Sequence, residues 1–130
     1  MVVDEAFILT WAKRLAADIP GARAVLLKGS YVRGDAGPWS DLDFDVLIDD
    51  ADIEAPCLTW FDDSTGRTVH ISVAVEHMTT WLADFAEPAD WALGFAGRPA
   101  TKLLWVDRPS LSAELDRPDE VARAVLHWTN

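Results

Sequence analysis

The residues best suited to chemistry lie in one short segment of the chain. A glycine-serine pair, Gly29 and Ser30, is followed after a loop by Ser40 and by two acidic residues, Asp41 and Asp43. Glycine lets a backbone approach a ligand closely, and N–H groups at a helix start can bind phosphate oxygens together with a serine hydroxyl. Two carboxylates two residues apart on a strand lie on one face, roughly 6.6 Å apart along it. Because carboxylates and substrate phosphates commonly hold Mg²⁺, this pattern indicates metal-dependent phosphoryl transfer.

Apolar periodicity predicts the elements that position this segment. Residues 4–19 carry apolar side chains at three- and four-residue spacing, which predicts an amphipathic helix. Residues 24–27 form an apolar run typical of a buried strand, and residues 30–33 are expected to form one helical turn. Alternation over residues 42–48 predicts a second strand, which carries the acidic residues.

Three carboxylates are expected on one face of that second strand. Asp41, Asp43 and Asp45 alternate with apolar residues, and alternate residues of a strand point to opposite faces. Aspartate is depleted in strands, and neighbouring like charges repel one another. We therefore expect a cationic group beside these carboxylates. Asp45 is assigned to the solvated or outer surroundings of the site, not to primary metal binding.

The remaining chain is expected to complete a small sheet. Residues 49–56 are acidic and end in proline, which predicts a linker. Residues 57–61 and 67–75 are predicted to form an antiparallel hairpin, and residues 101–106 a last strand. Helices are predicted over 76–85, 88–95, 109–115 and 118–128.

Composition bounds the class of protein. The chain has 130 residues, half of them hydrophobic, and one cysteine, so we expect a single domain over residues 1–130 that needs no disulfide or structural zinc. Its formal net charge of −11 argues against a nucleic-acid surface and favours a cationic substrate or a basic partner. Acidity that only maintains solubility is the simpler interpretation. No apolar run is long enough to cross a membrane, and the start lacks the basic region of a signal peptide, so a cytoplasmic protein is expected.

The segment from Gly29 to Asp43 resembles the signature of the DNA polymerase β-like nucleotidyltransferase superfamily. It reads Gly-Ser-x-x-Arg-Gly and then Ser-Asp-x-Asp, a form found in minimal nucleotidyltransferases and aminoglycoside nucleotidyltransferases. The order of the predicted helices and strands also agrees with that family. The resemblance implies an α/β (α+β) nucleotidyltransferase fold, a small mixed sheet with helices mainly on one face.

The resemblance also implies roles for individual residues. Asp41 and Asp43 would hold two Mg²⁺ ions that bridge a nucleoside triphosphate. The implied reaction transfers a nucleoside monophosphate to an acceptor hydroxyl and releases pyrophosphate. Four residues are implied to lie at the nucleotide phosphates: Gly29, Ser30, Arg33 and Ser40.

One position departs from the family pattern. The family places a third carboxylate on the next strand, where this sequence has His70. Imidazole can accept a proton, but it is a poorer Mg²⁺ ligand than a carboxylate. Asp45 and Glu76 are the candidates to replace the missing carboxylate. If neither does, the domain would bind a nucleotide with weak transfer or none.

Three functions follow from the resemblance. The first is Mg²⁺-dependent nucleotidyl transfer to a small hydroxylated molecule or a protein side chain, with a cationic, aminoglycoside-like acceptor suggested by charge alone. The second is a catalytically weak, antitoxin-like module that pairs with a helical HEPN-type protein. The third is the catalytic part of a longer transferase, with a helical acceptor-binding domain after the last strand. No nucleic-acid or membrane partner is expected, and a homodimer stays open.

Other conspicuous residues are given simple structural roles. Three tryptophans on apolar faces are predicted to be core residues: Trp11, Trp81 and Trp105. Two are predicted to be exposed, where they would stack on a ligand or meet a partner: Trp39 and Trp128. Cys57 is predicted to be a small packing residue. No role is assigned to His77 or His127, which are expected on exposed helix faces.

Overall fold

The fold is described from a computed structural model. The described residues are 3–34, 36–37, 39–49, 55–83, 101–111 and 115. The helices predicted over 88–95 and 118–128, the residues His127 and Trp128, and most of the predicted linker lie outside these ranges.

In the described ranges, five strands form one mixed sheet. They are β1 (Ala22–Lys28), β2 (Leu42–Ile48), β3 (Cys57–Asp62), β4 (Val69–His77) and β5 (Thr101–Val106). The strand order is β3-β4-β2-β1-β5; β2 and β4 run parallel, and the other neighbours run antiparallel. This mixed sheet with its helices confirms the predicted fold class, and β2 and β5 have the predicted bounds.

Helices precede and connect these strands. Helix α1 (Glu5–Asp18) begins after Asp4, whose carboxylate accepts the N–H of Phe7 at 2.8 Å and caps the helix start. The shorter helices are α2 (Ser30–Arg33), α3 (Met78–Ala83) and a 3₁₀ turn at Pro109–Leu111. Within the described ranges, no helix is long and apolar enough to cross a membrane.

Apolar layers lie on both faces of the sheet. On one face, α1 packs Trp11 and Leu15 against the even-numbered residues of β2. Full burial of one such side chain contributes about 1.5–3 kcal/mol relative to exposure, so this layer fixes α1 on the sheet. On the opposite face α3 packs Met78 and Trp81 with Leu26 and Leu47. The two faces are therefore covered by different helices, and the odd-numbered carboxylates of β2 lie on the face of α3.

The predicted tryptophan positions agree with the structure where they are described. Trp11 and Trp81 are buried, and Trp105 is half-buried against the α1 side of the sheet. Trp39 is 84% exposed. A sequence pattern thus separated the core tryptophans from the exposed one.

Two local predictions are wrong. Glu76 and His77 belong to β4 and not to the helix predicted over 76–85, because the parallel pairing with β2 continues to Ile48 and His77. Helix α3 accordingly begins at Met78. Cys57 is exposed and is not a packing residue, because it starts β3 on the side of the strand whose residues are exposed.

Candidate active site

The predicted site residues meet where β1 ends and β2 begins. These two strands run antiparallel, and the last residue of β1, Lys28, is opposite Asp43. Strand β4 runs parallel to β2 with Ser72 opposite Asp43, so His70 comes beside Asp41. The sheet register thus brings together the glycine-serine turn, the acidic pair and the histidine.

Gly29 allows the turn to touch the acidic strand. Its φ of +79° is a backbone conformation that other residues adopt only with strain. A Cβ atom built on Gly29 would lie 2.7 Å from Oδ2 of Asp43. The carboxylate of Asp43 therefore lies against the backbone of the turn, and the two form one unit.

Helix α2 follows this turn directly. Ser30 is its first residue and is half-buried. The N–H of Gly34 donates to the carbonyl of Ser30 at 3.0 Å, and Gly34 ends the helix in the left-handed conformation. Arg33 is the last residue of the helix, and its side chain lies outside the described part of the chain. The phosphate contacts of Ser30 and Arg33 stay predictions.

The loop before β2 is closed by Ser40. Its hydroxyl oxygen accepts the N–H of Gly37 at 2.8 Å, and its own N–H donates to the carbonyl of Gly37 at 3.2 Å. Trp39 of the same loop contacts the turn between β3 and β4. The guanidinium of Arg67 in that turn lies 5.8 Å from the ring centre of Trp39, a cation–π contact. Ser40 therefore shapes the loop that leads to Asp41.

Asp41 and His70 contact each other at the head of the site. The Nδ1 atom of His70 lies 3.1 Å from Oδ1 of Asp41, and the side chains are 37% and 47% exposed. Phe61 stacks on the imidazole, with ring centres 5.1 Å apart and planes at 14°. A carboxylate only accepts hydrogen bonds, so a hydrogen bond across this contact would be donated by Nδ1 and would leave the lone pair of the neutral ring on Nε2.

Asp45 has a different environment. It is 5% exposed, and its Oδ1 accepts a hydrogen bond from Nζ of Lys28 at 2.7 Å. Its Oδ2 accepts the indole N–H of Trp81 at 3.3 Å. The expected cation beside the carboxylates is thus Lys28. Of the two environments expected for Asp45, its burial excludes the solvated one and agrees with a place in the outer surroundings of the site. With both oxygens engaged, it does not replace the third carboxylate.

Glu76 also fails to replace the third carboxylate. It lies in β4 opposite Leu47, whereas Ser72 of the same strand is opposite Asp43. Four residues of a strand span about 13 Å, so Glu76 lies well along the sheet from the acidic pair. Neither candidate therefore replaces the third carboxylate, and His70 contacts Asp41 at that position.

The side chains at this end of the sheet fit magnesium. Hard carboxylate oxygens suit Mg²⁺, which takes one or two of them and completes its shell with substrate phosphates and water. Within the described ranges, no three or more His, Cys, Asp or Glu side chains form a group suited to a metal ion. The protein would then supply Asp41 and Asp43, and the Asp43 carboxylate lies against the backbone of Gly29.

Sequence reasoning missed two side chains at this site, Lys28 and Phe61. For Lys28 a signal was present, since a charged residue directly follows the apolar run of residues 24–27. The contact with Asp45 itself depends on the pairing of β1 with β2. Phe61 had no separate signal, because its place beside His70 follows from the hairpin register.

Comparisons with known proteins identify the family of the chain. The family model described as a nucleotidyltransferase domain matches residues 11–93. A search of curated proteins finds no match. Among solved structures, the chain is similar to one described as a toxin-antitoxin with AMP-PNP, with 17% identity, a TM-score of 0.43, and coverage of 94% of this chain and 86% of that chain. By the family match, which spans more than half of its length, the chain belongs to the nucleotidyltransferase domain family.

Proposed function

We propose that this protein is a Mg²⁺-dependent nucleotidyltransferase that moves a nucleoside monophosphate from a nucleoside triphosphate to an acceptor hydroxyl. The observation that carries the proposal is the contact of the Asp43 carboxylate with the backbone of Gly29. Phosphates held at the turn would lie beside the carboxylates that bind the ions. When bound, two Mg²⁺ ions would neutralise the triphosphate and stabilise the attacking and leaving oxygens.

In this mechanism the turn positions the nucleotide. The backbone at Gly29 and the hydroxyl of Ser30 bind phosphate oxygens, with Arg33 beside them as a further cation. Ser40 holds the loop that presents Asp41. These groups act mainly by positioning and by neutralising charge, which is the main catalytic contribution in phosphoryl transfer.

His70 is the proton acceptor in this proposal. Its Nε2 takes the proton of the acceptor hydroxyl, the hydroxyl oxygen forms a bond to the α-phosphorus, and the bond from that phosphorus to pyrophosphate breaks. Asp41 accepts a hydrogen bond from Nδ1 of His70, which orients the ring and stabilises the imidazolium that forms. Its second carboxylate oxygen serves the metal.

The proposed acceptor is a small hydroxylated molecule with cationic groups, used in the cytoplasm. The net charge of −11 favours cations over anions at the surface. A protein hydroxyl is the other acceptor class that this chemistry admits.

A second candidate function is a nucleotide-binding module with weak or no transfer that pairs with a helical protein. The observation that favours it is His70 in place of the third carboxylate. Trp39 and Phe61, 84% and 67% exposed, would supply apolar contact area to such a partner. Turnover separates the two candidates, because the module would bind a nucleotide without transferring it.

Calorimetric titration with ATP and Mg²⁺ tests the site. We expect binding by the wild type and loss of binding by the double variant Asp41→Asn with Asp43→Asn. The matched control is Glu5→Gln with Asp18→Asn, which removes two negative charges from α1 on the other side of the sheet and should bind normally. Equal binding by the wild type and the site variant would disprove the metal role of the acidic pair. Transfer of label from an α-³²P triphosphate to any acceptor then supports the enzyme over the module.

A further inference from the structure

We infer that Lys28 binds phosphate oxygens of the nucleoside triphosphate and that Asp45 is a positioning residue that holds Lys28 for this purpose. The inference rests on the proposed function, which supplies the triphosphate. It assigns a ligand contact to a lysine and a positioning role to a buried carboxylate, and the family signature includes neither residue.

Lys28 lies where β1 meets the phosphate-binding turn. It is the last residue of β1 and comes directly before Gly29. It is opposite Asp43 in the antiparallel pairing, and directly opposed residues share a face of the sheet. The side chain of Lys28 therefore emerges on the metal-binding face, next to the phosphate-binding turn.

The contacts of Asp45 fix the position of the Lys28 ammonium. This carboxylate is 5% exposed and is held by the indole of Trp81, so it forms a fixed anchor for the ammonium of Lys28. An ammonium has three N–H donors, and the bond to Asp45 uses one. The Lys28 side chain is still 35% exposed, so a ligand can reach it without breaking the bond to Asp45.

Negative charges are concentrated at the site. Asp41, Asp43 and the triphosphate are all negative, so a fixed cation beside them lowers the cost of bringing them together. Stability alone is a weak explanation of this partly buried ion pair, because the desolvation of the Asp45 carboxylate offsets much of the attraction. Arg23, on the same strand, contrasts with Lys28, since it pairs with Asp49 and Asp107 at the other end of β1.

The test replaces both members of the pair. Lys28→Met with Asp45→Asn removes one charge of each sign, leaves the net charge unchanged, and keeps an acceptor oxygen for Trp81. We expect it to bind magnesium ATP and magnesium tripolyphosphate about 10-fold more weakly or worse, as for one lost hydrogen bond between charged groups. Because a contact between opposite charges is lost, the affinity should also depend less strongly on the salt concentration.

The control is a pair on the surface of α1. Arg14→Met with Asp18→Asn makes the same change of charge at a contact of 3.6 Å and should leave both affinities unchanged. An affinity of the Lys28 and Asp45 double variant within about twofold of wild type overturns the inference. The proposed function then still stands if the Asp41 and Asp43 variant loses binding. Failure of the wild type to bind magnesium ATP overturns both.

A single variant keeps the inference testable if the double variant does not fold. Asp45→Asn retains the charge of Lys28 and removes its anionic anchor. We expect severalfold weaker binding with an unchanged dependence on salt, because the phosphate contact persists in a less fixed position. If the role of Asp45 were purely structural, Asp45→Asn would lower the unfolding temperature and leave the affinity of the folded protein at the wild-type value. That result would contradict the inference.

Discussion

Asp41, directly before β2, and Asp45, within it, lie four residues apart, yet their environments differ. Asp45 is 5% exposed, and both of its oxygens accept hydrogen bonds from protein groups. The Asp41 side chain is 47% exposed and contacts the imidazole of His70. Asp43, between them, lies against the glycine turn. The buried end of this row thus belongs to the scaffold, and the exposed end is available to a ligand.

The largest effect is expected at the ligand-binding end. Asp43→Asn should lower nucleotidyl transfer by about 1,000-fold, because a metal ligand is worth several kcal/mol of transition-state stabilisation. The free energy of unfolding should change by much less than the transfer rate, since asparagine keeps the size of the side chain and one of its acceptor oxygens. Label transfer and urea unfolding measure the two. A variant that unfolds more easily while transferring normally would reverse the assignment of this end.

The next effect is expected at the buried end. Lys28→Met alone leaves the Asp45 carboxylate buried without its cation and should lower the free energy of unfolding by about 3 kcal/mol. Urea unfolding at neutral pH measures this loss. Adding Asp45→Asn should recover most of the stability, because the buried charge is then gone. Unchanged stability of the single variant would show that the pair does not anchor this end.

A smaller effect is expected at His70. His70→Ala should lower transfer by about 100-fold, in the range for removal of a general base. His70→Asp restores the carboxylate that the family has at this position and should keep transfer within about 10-fold of wild type. Single-turnover rates with saturating magnesium ATP measure both. Equal rates for the alanine variant and the wild type would remove His70 from the proton transfer.

The smallest effect is expected away from the site, where α1 meets β3. The hydroxyl of Ser64 hydrogen-bonds the carboxylate of Asp62 and lowers its pKa, and the indole N–H of Trp11, 2.7 Å away, adds to this. A folded-state pKa below the unfolded one stabilises the protein above the unfolded value, and this stability is lost as pH falls below about 4. Asp62→Asn should therefore make the free energy of unfolding depend less steeply on pH in that range. Acid unfolding followed by tryptophan fluorescence checks this, and an unchanged acid transition would contradict it.

Much of this arrangement could be predicted from the sequence because its signals are local. The alternation in β2, the helix period before β1 and the glycine-serine pair each depend on residues close in the chain. The partners of Asp45 could not be predicted, since Lys28 and Trp81 are 17 and 36 positions away and meet it only through the sheet and α3. The boundary of β4 was missed for the same reason. Its last residues look amphipathic, and pairing with β2 decides that they form a strand.

The central claim is that the turn at Gly29 and the carboxylates of Asp41 and Asp43 form one site for a magnesium-bound triphosphate. A crystal structure with a non-hydrolysable nucleoside triphosphate and Mg²⁺ tests it most directly. The account expects phosphate oxygens at the backbone of Gly29 and Ser30 and at least one ion bound by both carboxylates. A triphosphate bound elsewhere on the protein, or ions that do not touch Asp41 and Asp43, would contradict it.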